Sequence, residues 1–129
     1  MSSTNPNTQA DHPAEPPRLT IETVETLLHV RFPRRKIDGV AVRELYEAAA
    51  QVSHGRDPRM LVNLEGVSLV SSGVMGILVT IQKLFRHVGG QLHIVSSDPM
   101  VVQQFEVANL HLLLKVFSDL DSAMAMFKN

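Results

Sequence analysis

The stretch that decides the fold is MLVNLEGVSLVSSGVMGILVTIQKLFRHVGG, residues 60–90. Its opening run, Met60-Leu61-Val62-Asn63-Leu64, is almost continuously apolar, the pattern of a strand buried on both faces. Glu65 to Val70 is a short connection. Ser71-Ser72-Gly73 then offers hydroxyls where a helix start leaves backbone N–H groups without intrahelical acceptors. Gly89-Gly90 is the expected stop, because glycine takes the left-handed backbone of a helix end at little cost. Small hydroxyl residues at such a junction either cap the helix or accept a chemical modification.

At 100° per residue, Val74, Ile77, Leu78, Ile81, Leu84, Phe85 and Val88 fall on one side of the predicted helix. Burying seven such side chains is worth roughly 10–20 kcal/mol before chain entropy is subtracted, so this face belongs to the core. Thr80, Gln82, Lys83, Arg86 and His87 occupy the wet remainder. Met75 and Val79 project on that otherwise polar side beside Gly76, one turn from Ser72, where they form a candidate docking patch.

Working outward, Leu19 to Val24 and Thr26 to Phe32 read as two strands joined tightly around Glu25. In the second, Leu28, Val30 and Phe32 alternate with His29 and Arg31. Pro33 stops it, and Asp38 or Gly39 opens a helix to Val52 with Val40, Leu45, Ala48 and Ala49 as core candidates. After Gly90 comes a strand from Leu92 to Val95. Ser97-Asp98-Pro99 starts a helix reaching Ala108, with proline at its first position. Leu112 to Val116 is a further extended segment, and Ser118 and Asp121 have the spacing of a capping box for a last helix ending at Phe127. The order β-β-α-β-α-β-α-β-α defines an α/β fold, a mixed β-sheet with helices packed against it and its later strands parallel.

Residues Met1 to Pro17 are rich in Ser, Thr, Asn and Pro, and bury too little to offset their ordering entropy. They are expected to be a disordered tail ahead of one domain, 18–129. With 12 basic and 13 acidic residues the chain lacks the positive balance of a phosphate-neutralising nucleic-acid binder. The cluster Arg31, Arg34, Arg35, Lys36 reads as a solvated turn. The absence of cysteine excludes disulfides and thiolate metal sites. No apolar run reaches the ~20 residues of a membrane span, and the N-terminus has no signal-like apolar segment. A cytoplasmic protein is expected. The six histidines have no metal-binding spacing, and His87 and His93 read as surface residues. Neither a nucleophile elbow nor a P-loop is present, so no enzyme activity and no cofactor are expected. Glu65 and Asp98 flank turns from which each is able to approach Ser72.

The segment Val67-Ser68-Leu69-Val70-Ser71-Ser72-Gly73-Val74-Met75-Gly76-Ile77-Leu78 resembles the signature of STAS domains, the sulphate-transporter and anti-sigma-factor-antagonist domains. The Met60 strand, Gly89-Gly90, the Leu92 strand, Ser97-Asp98-Pro99 and Phe117-Ser118-Asp119-Leu120-Asp121-Ser122-Ala123 follow in the family's order. The resemblance covers about Leu19 to Phe127 and implies the STAS-like fold. It implies an anti-sigma factor antagonist that binds a partner acting as both serine kinase and anti-sigma factor. By the same resemblance Ser72 is the phosphorylated serine, with Ser71 as the alternative acceptor. Ser71, Ser72, Met75, Gly76 and Val79 are then the expected partner-binding residues. Here Ser71 stands where the family has Asp, Gly73 replaces its second Ser, Val74 its next Gly, and Asn63 its strand Asp. The other reading is a constitutive accessory subunit of a transporter ATPase or of a signalling scaffold.

Overall fold

The computed structural model describes residues 19–24, 27–31 and 39–127, with side chains of residues 24 and 39–41 excepted. Five strands form one sheet in sequence order: β1 (Thr20–Val24), β2 (Leu27–Arg31), β3 (Arg59–Asn63), β4 (Gln91–Val95) and β5 (Lys115–Phe117). β1 pairs antiparallel with β2, placing Thr20 opposite Arg31, and every later pairing is parallel. The helices are α1 (Gly39–Val52), α2 (Ser72–His87), α3 (Pro99–Val107) and α4 (Leu120–Ala125), with a 3-10 turn at Leu110–Leu112. The observed order is the expected α/β one.

Strands that advance in one direction through right-handed crossovers carry all their connecting helices to one face. The core follows that geometry. Leu28, Val30, Met60, Val62, Leu92 and Ile94 share one cluster with Leu45 and Ala49 of α1, Val74, Leu78, Ile81 and Phe85 of α2, and Val101 and Phe105 of α3. Alternate strand residues Leu27, Leu61 and Val95 point to the opposite face, where Ala123 and Phe127 cover them. β3 is therefore buried on both faces, as its apolar run requires.

Several local expectations are corrected. Val88 is exposed, because it is the C-cap of α2 and lies past the last helical turn. Ile77 and Leu84 are half-buried against the core rather than fully enclosed. Of the pair Gly89-Gly90, Gly89 alone is left-handed, with φ 74°. Gly90 answers a different demand: a Cβ there would lie 2.7 Å from the Pro58 carbonyl oxygen, whose partner is the Gln91 N–H. The last strand is Lys115–Phe117 rather than Leu112 to Val116, since residues 110–112 close a 3-10 turn. α4 is capped by Asp119, which accepts from the Ser122 N–H at 2.7 Å, and not by Ser118. Asp119 thereby sits below the usual carboxylate range, held there by those Ser122 bonds. The side chain of Val40, the turn at Glu25, the Phe32–Pro33 strand end, Arg34, Arg35, Lys36 and residues 1–18 lie outside the described residues.

His93 is the largest departure. It is buried, because its register on β4 directs it under α4. Its ring stacks on Phe127 at 3.9 Å and meets Phe117 at 4.8 Å. Nδ1 lies 2.8 Å from the Ala123 carbonyl, so the neutral ring donates from Nδ1, and the buried Nε2 has no partner among the described residues. Burial pushes its pKa below 6.5, the Ala123 bond opposes that, and Lys115 adds to it.

Two measurements test this packing. Gly90→Ala is expected to cost about 1–3 kcal/mol in urea denaturation, because the backbone of Pro58 must move. For His93 the folded pKa lies below the unfolded one, so the unfolded chain takes up the proton first as pH falls. Stability is complete above pH ~6.5 and declines below it, by at most ~1.4 kcal/mol per pH unit, until the folded ring also titrates. His29 on β2, lowered by burial and by Arg31, acts in the same direction. His93→Phe is expected to flatten the decline between pH 7 and 5 without abolishing it.

Candidate functional site

The connection from β3 to α2 is held at its start by the segment just ahead of α3 and at its far end by α3 itself. At its start, Asn63 is buried and its Oδ1 accepts the Glu65 N–H at 2.9 Å, turning the chain away from the strand. The Glu65 carboxylate then accepts from the Ser97 N–H at 3.0 Å and the Ser97 hydroxyl at 3.2 Å, just ahead of α3. At its far end, the Gln104 side-chain amide brackets Val70. The Val70 N–H donates to Gln104 Oε1 at 3.1 Å, and Gln104 Nε2 donates to the Val70 carbonyl at 2.9 Å. One side chain so satisfies both polar groups of a residue outside any ladder. Between these ties Val67 and Val70 are buried, while Ser68 and Leu69 face outward.

The two serines have separate positions. Ser71 is the N-cap, with extended backbone (φ −75°, ψ 160°), and its Oγ accepts the Val74 N–H at 3.2 Å. Ser72 is the first helical residue, and it is exposed. Among the described residues its hydroxyl has no hydrogen-bond partner. The helix start therefore occupies one hydroxyl and leaves the next to solvent.

Met75, one turn on from Ser72, is half-buried rather than projecting freely, and so is Val79; both pack on the main core. The exposed part of Met75 lines an apolar cleft of about 350 Å³ with Met100, Gln103, Gln104, Val107 and Ala108. Met100 and Val107 are 66% and 77% exposed, which makes this cleft a surface rather than an extension of the core. Gly76 is exposed, and among the described residues nothing would lie within 4 Å of a Cβ at that position. Glu65 and Asp98 do not serve Ser72: the first is tied to Ser97, and the second caps α3 at the Met100 N–H, 2.8 Å away. Among the described residues no group of three His, Asp or Glu side chains is set to hold a metal ion, and no helix is long and apolar enough to cross a membrane.

The sequence singled out Ser71, Ser72, Met75, Gly76 and Val79 but missed Gln104 and the α3 wall of the cleft. A glutamine mid-helix carries no signal of its own. Only the crossover that sets α3 beside α2 gives it a role.

A family model described as the STAS domain matches residues 18–123. The chain belongs to the STAS-domain family. Its fold is similar to that of an anti-sigma-factor antagonist (STAS) domain protein from Planctomyces limnophilus, with TM-score 0.71 and 18% identity over 88% of this chain and 100% of that one. It is also similar to an anti-sigma factor antagonist from Mycobacterium paratuberculosis, with TM-score 0.69 and 20% identity over 83% and 90%. For the Bacillus cell-fate determinant SpoIIAA in its phosphorylated form, the TM-score is 0.65 and the identity 16% over 83% and 96%. No curated protein sequence matches the chain significantly.

The division between the serines has a direct test. Ser71→Ala is expected to cost about 1 kcal/mol, within the ~0.5–2 kcal/mol of a lost cap, whereas Ser72→Ala changes stability by less than ~0.5 kcal/mol. Paired urea titrations at neutral pH measure both; equal losses would contradict the assignment of the cap.

Proposed function

We propose that this chain is an anti-sigma factor antagonist-like module, which binds an anti-sigma factor with serine kinase activity and is released by phosphorylation at Ser72. The observation that carries this reading is the separation of tasks at the helix start: Ser71 is occupied as the cap, and Ser72 is exposed beside an apolar cleft. The role is non-enzymatic and requires no cofactor. Ser71, Ser72, Gly76 and the outer parts of Met75 and Val79 form the contact surface, extended by Met100 and Val107.

The physics of the switch follows from that placement. A phosphoserine carries about −1.5 to −2 charges at neutral pH. At the N-terminal turn of α2 an anion is favoured by ~0.3–1 kcal/mol, so the domain stays folded. A partner seated on the apolar cleft has to desolvate or repel the same charge. Ser71, in place of the family's Asp, leaves the unmodified junction without that carboxylate, so the phosphate is a larger fractional change in local charge.

Gly76 supports a close-approaching partner. It sits inside a helix, where glycine costs about 0.5–1 kcal/mol relative to alanine, yet no neighbouring atom among the described residues requires the missing Cβ. A partner's backbone or side chain against α2 would.

Two variants follow, measured by calorimetry against the cognate kinase. Ser72→Asp is expected to weaken binding about tenfold or more with an unchanged melting profile. Gly76→Ala is expected to raise stability by ~0.5–1 kcal/mol while also weakening the complex. Unchanged affinity in a folded Ser72→Asp protein would favour a constitutive accessory subunit, in which both serines belong to the helix start alone.

A further inference from the structure

β5 is the outer strand of the sheet, with β4 as its one neighbour among the described residues. In a parallel ladder, alternate residues direct both N–H and C=O at the adjoining strand, and the residues between direct theirs away. The Phe117 carbonyl accepts the Ser96 N–H at 2.9 Å, and Phe117 stands opposite Val95. Lys115 and Phe117 therefore face β4, and Val116 turns both backbone groups outward. Such an edge is a template for another strand. Its flanks are apolar and open: Leu112 and Leu113 precede it, and Met124 and Met126 follow it, all four exposed. Met126 also borders a groove of about 440 Å³ along β5, together with Phe105, Leu114 and Val116.

We infer that β5 pairs antiparallel with β5 of a second copy of this chain, about a two-fold axis at Val116. Where a two-fold axis passes through a hydrogen-bonded antiparallel pair, the residue on it exchanges both N–H···O=C bonds with its own image. Val116 is the residue of β5 whose N–H and C=O are directed to do so. The register sets Lys115 of each copy opposite Phe117 of the other, so ammonium meets ring and not a second ammonium. Glu106 and Lys115 border the same groove, and each copy brings both signs of charge to the junction. An unrelated peptide would gain one residue's pair of backbone bonds from so short an edge. A second copy gains the same pair and brings the four flanking apolar side chains twice. This pairing is independent of the role of Ser72.

The test uses the full chain at low-micromolar and at millimolar concentration, with sedimentation velocity and residue-resolved amide hydrogen exchange. Val116→Pro is the matched variant: its ring removes a donor that points away from β4, where an edge strand tolerates proline. Sedimentation is expected to shift from monomer to dimer with concentration, the Val116 amide to become protected in step, and the variant to stay monomeric. A wild-type chain that is monomeric at millimolar concentration overturns the inference. So does a Val116 amide equally protected at both concentrations, which would mean the edge is covered within one chain, and so does a dimer that survives Val116→Pro. If the variant does not fold, the concentration dependence of the wild-type Val116 amide decides alone.

Discussion

The parallel ladder that runs from β2 to β5 in sequence order is the constraint on which everything else rests. Once each crossover is right-handed and each strand is laid on the same side of the last, α1, α2 and α3 have no choice of face. Their packing on Leu28, Val30, Met60, Val62, Leu92 and Ile94 makes the main core. Among the described residues the opposite face is covered by the six-residue helix α4 and the segment after it, with Ala123 and Phe127 against Leu27, Leu61 and Val95. His93 is drawn into that thin second layer, where its neutral ring fastens α4 through the Ala123 carbonyl.

The same ladder makes the β3–α2 junction rigid. Because α3 is forced beside α2, Ser97 and Gln104 come within hydrogen-bond reach of Glu65 and Val70, residues that precede them by more than thirty positions. A loop fixed at both ends delivers Ser71 to the capping position and Ser72 to solvent in one defined geometry. On this account, a modifying enzyme meets a presented hydroxyl, and a binding partner meets an apolar cleft a single helical turn away. Phosphate at Ser72 would then act on the complex rather than on the fold, since the helix terminus accommodates the charge that the apolar contact does not.

Much of this was legible from residue order. The two-sided burial of β3 follows from Met60 to Leu64, the α2 core face from the spacing of Val74, Leu78, Ile81 and Phe85, and the α3 start from Asp98-Pro99. What escaped were features set by elements distant in sequence. A histidine in Gln91–Val95 reads as surface until α4 is known to cross that strand. Met75 and Val79 read as exposed until their packing against the main core is known. Val88 falls on the right side of a helical wheel, but the helix has ended there. Asp119 won the α4 cap over Ser118 because a carboxylate one residue later reaches both the N–H and the hydroxyl of Ser122, at 2.7 and 3.0 Å. Between Ser71 and Ser72 the pattern alone offered no choice; backbone geometry at the helix start makes it.

The most direct measurement is peptide mass spectrometry on the protein purified from its own cells across growth and stress conditions. The account predicts phosphate on Ser72 and not on Ser71, with an occupancy that changes with condition. Phosphate on neither serine under any condition would contradict it, and would leave the exposed hydroxyl of Ser72 without a regulatory role.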